Sequence, residues 1–272
     1  MKQHVVVIPI YKPSLEWFET ISLRQVCKVL GKHAICIVTH DGIDLTAYQR
    51  IADEYHVRLL REDFRREDFI SVKAYSDLML NKAFYYRFAQ YDYMLIYQLD
   101  AYVFRDELDE WCNKGYDYIG APWFENYGNH EAGCGLWAVG NGGFSLRNIA
   151  FHIQFLECKR LYGWKELKVK YPKRDLKTFL VRLTHWLGYW QSSSCLLKET
   201  GDNEDHFFSQ KAQLTRCKSS LPSPEEASRF AFEQSPSWLY SVNQQLPFGC
   251  HAWQKYEYES FWKQFIHDND EH

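Results

Sequence analysis

The sequence predicts an α/β protein in which a mostly parallel central sheet is flanked by helices. Three short apolar runs rich in β-branched residues open the chain, at residues 4–10, 34–39 and 57–60. Apolar residues at helical spacing occupy the segments between them, and this alternation is typical of a parallel sheet. A fourth apolar run, residues 94–99, is continuous enough to be a strand that is buried on both faces.

The other elements follow in chain order. The expected elements are helices over 15–30, 45–55 and 71–88, a short strand broken by Gly-Ala-Pro at 117–123, a loop at 126–135, an apolar segment at 136–146 and a helix at 149–161. The clean alternation stops after the fourth strand, and no repeat or linker follows. We therefore expect one domain over 1–272, with a regular half to about residue 104 and an irregular half from about 105 to 272.

Composition narrows the class of protein. The 272 residues are 46% hydrophobic, which is enough for a full core, and a formal net charge of -3 argues against a surface built for nucleic acid. The eight cysteines form no Cys-x-x-Cys pair, as expected for reduced thiols in a cytosolic protein. The first residues lack a signal-peptide pattern, and no apolar run reaches the roughly 18 residues of a membrane span. We therefore expect a cytoplasmic protein.

One part of the chain differs from the rest in charge, and we call residues 159–190 the basic segment. Residues 159–182 contain nine basic and two acidic side chains, and several aromatic side chains lie among or after them. This composition is typical of a surface that lies on an anionic membrane or meets an anionic acceptor. It is equally typical of a solvated helical insertion, and charge alone leaves both interpretations open.

Asp100 ends the fourth apolar run. In open α/β sheets, ligands bind beyond the carboxyl ends of the strands. A carboxylate at that place is suited to hold a divalent cation or a ribose hydroxyl. The alternative is an Asp that simply begins the turn after a buried strand.

Three later motifs also have two interpretations each. The Gly-Asn-Gly-Gly run at residues 140–143 permits close approach of a ligand to the backbone, or forms a plain tight turn. Glu204 and Asp205 precede an apolar run, where acidic residues favour a helix N-terminus and are also suited to act as a general base. His251 lies in a compact loop as a metal ligand or as a structural histidine.

Taken in order, these motifs resemble those of GT-A-type nucleotide-sugar glycosyltransferases. More specifically, they resemble a family catalogued as a domain of unknown function with a glycosyltransferase-like fold. The resemblance spans residues from about 4 to 255, and the basic segment has no counterpart in it. The motifs that carry the resemblance are Tyr-Gln-Leu-Asp-Ala at 97–101, Asp-Tyr-Ile-Gly-Ala-Pro-Trp at 117–123, Gly-Asn-Gly-Gly-Phe-Ser-Leu-Arg at 140–147, Glu-Asp at 204–205 and Pro-Phe-Gly-Cys-His at 247–251.

The resemblance implies a single GT-A-like domain with a nucleotide-binding half to about residue 104 and a sugar and acceptor half beyond it. It also implies a nucleotide-diphosphate sugar as donor, with UDP favoured, and a glycan or lipid-linked saccharide as acceptor. The implied donor-binding residues are Pro9, Ile10 and Tyr11 around the base, Asp100 at the metal and diphosphate, and Asn141, Gly142 and Gly143 at the sugar.

The same resemblance implies an inverting mechanism, in which Asp205, beside Glu204, deprotonates the acceptor hydroxyl. A Mn²⁺ or Mg²⁺ ion would be held by Asp100 and His251. Tyr102 stands where the family motif has a second Asp. That departure leaves two options: a cation shared with the diphosphate, or a cation-free site in which basic groups such as Lys73 neutralise the leaving group.

Two other functions stay open at this point. One is a retaining glycosyltransferase, in which the acidic pair only caps a helix. The other is an inactive GT-A-like subunit that binds carbohydrate or assists assembly, which Tyr102 favours. The sequence argues against a serine or cysteine hydrolase, because Ser145 lacks the Gly-x-Ser-x-Gly pattern and no Cys is flanked by a recognisable partner motif.

Overall fold

The computed structural model describes residues 3–126, 128, 130–131, 134–201 and 203–267. Its first half alternates strands and helices as the sequence predicts. The elements of this half are β1 (His4–Pro9), α1 (Trp17–Leu30), β2 (Ala34–Thr39), α2 (Thr46–Glu54), β3 (Leu59–Asp63), α3 (Val72–Met79), α4 (Lys82–Tyr86), β4 (Tyr93–Tyr97) and β5 (Tyr102–Val103).

The second half contains short strands and many short helices. Its elements are α5 (Leu108–Asn113), β6 (Tyr118–Ile119), β7 (Pro122–Phe124), β8 (Leu136–Val139), β9 (Phe144–Asn148), α6 (Ile149–Glu157), α7 (Trp164–Lys170), α8 (Leu176–Trp186), α9 (Ser193–Thr200), α10 (Glu204–His206), α11 (Pro224–Phe230), β10 (Ala231–Phe232), α12 (Pro236–Asn243) and β11 (Gly249–Cys250). A π-helical turn, Phe207–Lys211, continues α10. Tyr127, Asn129, Ala132 and Gly133 of the predicted loop lie outside the described residues.

The central sheet has six strands in the order β3-β2-β1-β4-β9-β6. The first four are mutually parallel, and β9 runs antiparallel to both β4 and β6. The central strands are continuous apolar runs because helices cover both faces, and every residue of β4 is buried. The α/β fold class with a mostly parallel sheet is therefore confirmed.

Several predicted boundaries were wrong: β3 runs over Leu59–Asp63 rather than 57–60, and α6 ends at Glu157 rather than at residue 161. The segment 71–88 is not one helix, because the Asn81 side chain accepts a hydrogen bond from the Ala83 amide and begins α4 after α3 has ended at Met79. The fourth strand ends at Tyr97, so the turn at the edge of the sheet contains Gln98 as well as Asp100.

A second, three-stranded sheet of order β10-β11-β5 adjoins this turn and positions the site. In this sheet Cys250 of β11 pairs with Tyr102 of the antiparallel strand β5, and with Phe232 of the parallel strand β10. The residue after β11 is His251, so this register brings it beside Asp100 on one flank and Glu233 on the other. The His251 amide donates to the Phe232 carbonyl at 2.9 Å, which fixes the backbone there.

The basic segment forms α7, α8 and the turns around them. α7 and α8 pack on each other through aromatic rings, with Trp164 edge-on to Phe179 and to Trp186. None of the helices in the described part of the chain is both long and apolar enough to cross a membrane.

Candidate active site

Asp100 and His251 meet directly, although 150 residues of chain separate them. The His251 Nε2 atom lies 3.0 Å from Asp100 Oδ1 and 3.2 Å from Gln98 Oε1. On the opposite side of the ring, Nδ1 lies 3.1 Å from Glu233 Oε1. The imidazole is thus fixed between two carboxylates, and Lys255 Nζ adds a second cation 3.4 Å from Asp100 Oδ2.

These contacts set the charge of the group. Burial by itself would lower the pKa of His251, but Asp100 and Glu233 outweigh it and raise that pKa to about 10. Burial would raise the pKa of Asp100, but His251 and Lys255 hold it well below its usual value. At neutral pH the turn therefore contains a buried carboxylate paired with an imidazolium.

The geometry of Asp100 and His251 fits a divalent cation. An octahedral ion with bonds of about 2.1 Å places adjacent ligand atoms about 3 Å apart, which matches the 3.0 Å between Asp100 Oδ1 and His251 Nε2. The contact between Glu233 and Nδ1 is the one that carboxylates usually make to metal-binding histidines. The pair therefore fits a cation that replaces the proton on Nε2.

The pair does not form a complete metal site by itself. Tyr102 is 7% exposed and packs on Phe104 and Trp253, and burial raises the pKa of its hydroxyl to about 12. Among the described residues, no group of three or more His, Cys, Asp or Glu side chains is arranged to hold a metal ion. Further ligands would have to come from a bound diphosphate.

A cavity of about 600 Å³ opens beside this turn, at the carboxyl edge of the central sheet. Three of the predicted donor-binding residues, at and just after the end of β1, line it together with Asp100. The lining that bears on ligand binding consists of Pro9, Ile10, Tyr11, Lys12, Tyr48, Phe69, Tyr75, Gln98, Asp100, Gln254 and Lys255. A second cavity, of about 430 Å³, shares Tyr11, Phe69 and Ile70 with the first and extends to His40 and Asp41 after β2.

Two features of the lining are suited to a polar ligand that contains a flat ring. The Tyr11 side chain is 58% exposed, which leaves ring surface accessible for stacking, and Lys12 Nζ lies 5.9 Å from the ring centroid. The Gln254 Oε1 atom is buried and has no hydrogen-bond partner among the described residues. Since buried acceptors are normally satisfied, a donor on a ligand would suit this oxygen.

Lys73 lies outside the lining of the large cavity. It forms an exposed pair with Asp77 one helical turn away, at 2.9 Å. The cations that line the cavity are Lys12 and Lys255, and Lys12 lies 2.9 Å from Glu19.

The two neighbouring acidic residues of α10 have different surroundings. The Glu204 carboxylate is buried against Arg147, whose guanidinium is fully buried and lies 3.3 Å from Glu204 Oε1. The Glu204 amide donates to Ser76 Oγ. This residue therefore joins α10 to α3 and β9.

The second acidic residue, Asp205, is partly exposed. Its Oδ1 atom accepts a hydrogen bond from the His206 amide. Burial, and next the charge of Glu204, raise the pKa of Asp205 to about 6, against the influence of Arg147. A carboxyl group with this pKa is half-ionised near pH 6, which suits a general base that works at neutral pH.

The glycines of the 140–143 run are required by the protein's own side chains. A Cβ on Gly143 would lie 2.0 Å from His251 Nε2, and a Cβ on Gly142 would lie 2.6 Å from Glu204 Oε1. Asn141 has a positive φ of 43°, and its Oδ1 accepts from the Gly143 amide. The run thus allows the His251 pair and the Glu204 pair to approach the same backbone.

Sequence reasoning missed three residues of this region: Glu233, Arg147 and Lys255. Glu233 lies in no recognisable motif, and only the register of β10 with β11 brings it to His251. Arg147 is the last residue of the 140–147 motif, and this position was the signal in the sequence that could have identified it. Lys255 follows His251 by four residues and offered no signal of its own.

The sequence profile of the family described as "Protein of unknown function (DUF5672)" matches residues 58–251, which is more than half of the chain. No protein of curated function matches the chain in sequence.

Three solved structures illustrate what the chain is similar to in shape. The glycosyltransferase GlyE of Streptococcus pneumoniae TIGR4 has 14% identity and a TM-score of 0.48, over 98% of this chain and 61% of that one. The galactosyltransferase LgtC, solved with donor and acceptor sugar analogues, has 13% identity and a TM-score of 0.46, over 91% and 86%. Core-mannan synthase A of Aspergillus fumigatus, in a Mn/GDP form, has 8% identity and a TM-score of 0.39, over 75% and 71%.

The match covers 61% of the GlyE chain, so the remaining part of GlyE has no counterpart in this chain.

Proposed function

We propose that this chain, which belongs to the DUF5672 family, transfers a sugar from a nucleotide-diphosphate sugar to a hydroxyl of a glycan or lipid-linked saccharide. UDP-sugars are the favoured donors. The observation that carries the proposal is that Asp100, which pairs with His251, lines a cavity of about 600 Å³ on the carboxyl edge of the sheet. This edge is where open α/β sheets bind nucleotides.

In the proposed complex, the nucleotide base lies against Pro9, Ile10 and the exposed ring of Tyr11. The diphosphate then extends toward Asp100. Asn141, Gly142 and Gly143 flank the sugar, because Gly143 lies against His251 and Gly142 against Glu204. The adjoining cavity at His40 and Asp41 gives the base room to extend beyond Tyr11.

Departure of the nucleoside diphosphate develops negative charge that must be neutralised. The imidazolium of His251 and the ammonium of Lys255 both border the place where this charge would form. Mn²⁺ or Mg²⁺, held by Asp100 and His251 and by the diphosphate oxygens, would supply Lewis-acid stabilisation of the leaving group when bound. Without a cation, the two protonated side chains would perform the neutralisation, and Lys73 would act only from outside the cavity.

Asp205 is the proposed general base. The acceptor oxygen forms a bond to the anomeric carbon while the bond from that carbon to the diphosphate oxygen breaks. The bonding electrons leave with the diphosphate, and the acceptor proton passes to Asp205. A single displacement of this kind inverts the anomeric centre. Glu204, buried on Arg147, orients α10 rather than taking the proton.

The test begins with donor hydrolysis by the full chain across UDP- and GDP-sugars, with and without Mn²⁺, together with calorimetric binding of UDP. We expect UDP binding and slow donor hydrolysis. Asp205→Asn should retain UDP binding and lose turnover by about 10²- to 10⁴-fold, as for removal of a general base. Asp77→Asn, an exposed carboxylate outside the cavity, is the matched control and should retain both.

Two outcomes separate the alternatives. A product with the donor's anomeric configuration, seen by NMR, would indicate a retaining enzyme and remove the role of Asp205. Absence of both turnover and nucleotide binding would contradict the proposal. It would favour the carbohydrate-binding or assembly role, which the replacement of a metal-motif carboxylate by buried Tyr102 makes the second candidate.

A further inference from the structure

Helix α8 in the basic segment is inverted relative to an ordinary surface helix, since it buries polar side chains and exposes apolar ones. Arg182 and His185 are only 8% and 7% exposed, and Arg182 Nε donates to the Tyr171 carbonyl at 2.9 Å. Leucine and aromatic side chains form another face of the same helix, opposite His185. Surface helices normally turn such a face toward the core.

The exposed apolar face of α8 is continuous. At 100° per residue, its members fall within about a third of the helix circumference. They are Leu176, Phe179, Leu180 and Trp186, with Leu187 just after the helix, and each is between 45% and 74% exposed. Trp164 of α7 contacts Phe179 and Trp186 edge-on, so two helices contribute to this surface.

Three more large apolar side chains of the basic segment are exposed. Val169, Tyr189 and Trp190 are 73%, 62% and 64% exposed. Of the sixteen large apolar side chains exposed in the described part of the chain, eight therefore lie between residues 169 and 190. Scattered apolar residues need no explanation, but a concentration of this kind indicates a surface that is covered by something.

The same segment also exposes many basic side chains. Seven of the nine basic residues in the segment are exposed: Lys159, Arg160, Lys165, Lys168, Lys173, Arg174 and Lys177. Lys170 pairs with Glu199, and Arg182 is buried. The whole chain carries a formal charge of -3, so the positive charge is local.

We propose that this surface docks on an anionic lipid bilayer, with the apolar face of α8 in the interface and the basic residues on the headgroups. Apolar burial plus a polybasic rim is the combination that holds a peripheral protein on such a membrane. Trp and Tyr side chains also prefer the membrane–water interface. This inference goes beyond the proposed function and does not depend on it.

Charge argues for lipid rather than for a second copy of the chain. A twofold dimer would place the same patch against itself. Its basic rims would then repel each other, with few acidic residues in the segment to offset them. An anionic bilayer instead satisfies the positive rim and the apolar face together.

The experiment is co-sedimentation of the full chain with phosphatidylcholine vesicles that contain about 30% phosphatidylglycerol, or none. We expect binding to the anionic vesicles only, weakening as salt is raised. Leu176→Ser/Leu180→Ser should lower the partition coefficient by about tenfold or more. The matched control, Leu214→Ser/Val242→Ser, changes two side chains that are 56% and 58% exposed elsewhere, and should bind normally.

A second double variant and its control test the contribution of the basic residues. Lys165→Glu/Lys177→Glu should also lower binding by about tenfold or more, whereas Lys28→Glu/Lys218→Glu, exposed lysines outside the segment, should lower it less. Circular dichroism checks that every variant folds. Absence of binding to anionic vesicles, or equal loss in variants and controls, would overturn the proposal. So would a dimer in solution that Leu176→Ser/Leu180→Ser dissociates, since a second copy would then cover the patch.

Discussion

The region around α10 and β11 contains two buried carboxylate–cation pairs that differ in access. Asp100 lines the large cavity together with Lys255, and His251 pairs with Asp100 from behind the lining. Glu204 and Arg147 lie against the same glycine run, but Arg147 is fully buried and neither residue lines that cavity. A buried ion pair is therefore not by itself a site, and the open pair is the one suited to chemistry.

The largest effect is expected at the Asp100–His251 pair. Asp100→Asn removes the charge that faces the proposed diphosphate, and sugar transfer should fall by about 10²- to 10³-fold. The free energy of unfolding should change less than in the Glu204 variant below, because His251 retains Glu233 as a partner. Steady-state transfer and urea unfolding measure the two effects. Full activity in Asp100→Asn would place the site elsewhere.

The Glu204–Arg147 pair, which does not line the cavity, should respond in the opposite way. Glu204→Gln leaves the buried Arg147 charge uncompensated, so the free energy of unfolding should fall by about 3 kcal/mol. The exposed Lys73–Asp77 pair provides the control, since Asp77→Asn should change unfolding little. If Glu204→Gln unfolded like wild type yet lost turnover, Glu204 rather than Asp205 would be the base.

A smaller effect is expected from Glu233, which contacts His251 on the side away from Asp100. Glu233→Ala should lower activity by about 10- to 100-fold through loss of imidazole orientation. Glu233→Gln keeps an acceptor for Nδ1 and should recover part of that loss. Equal activity in the two variants would indicate that the hydrogen bond does not position the ring. Comparing their Mn²⁺ dependence would show whether the ring acts on a cation.

The smallest effect concerns pH. Because the pKa of Asp205 is raised to about 6, its carboxylate is present above that pH and lost below it. Transfer should therefore fall by about tenfold per pH unit below about 6 and level off above it. The residual activity of Asp205→Asn should lack this limb. A wild-type profile that is flat between pH 5 and 7, with the protein still folded, would argue against Asp205 as the base.

Much of the regular half could be predicted from the sequence. Its strands are apolar runs and its helices have apolar residues at helical spacing, so local patterns identify them. The break between α3 and α4 was missed because it depends on a single capping side chain, Asn81. The irregular half resisted prediction because its strands are two to five residues long and form only by pairing with distant segments.

The candidate site divides in the same way. Asp100, His251 and the acidic pair at 204–205 were identified from the order of motifs along the chain. Their roles could not be ranked by that order, since Glu204 and Asp205 are adjacent yet one is buried on Arg147 and the other is partly exposed. Glu233 had no signal because the contact exists only through the register of β10 and β11.

The sequence by itself determined the α/β class, the strand that leads to Asp100 and the basic character of residues 159–190, because these follow from local composition and periodicity. Only the tertiary structure decided which groups meet. The pairing of Cys250 with Tyr102 brings His251 to Asp100, and the packing of α8 turns its leucines outward. Such contacts join residues far apart in the chain, and no local pattern encodes which side of a strand or helix the rest of the protein will cover.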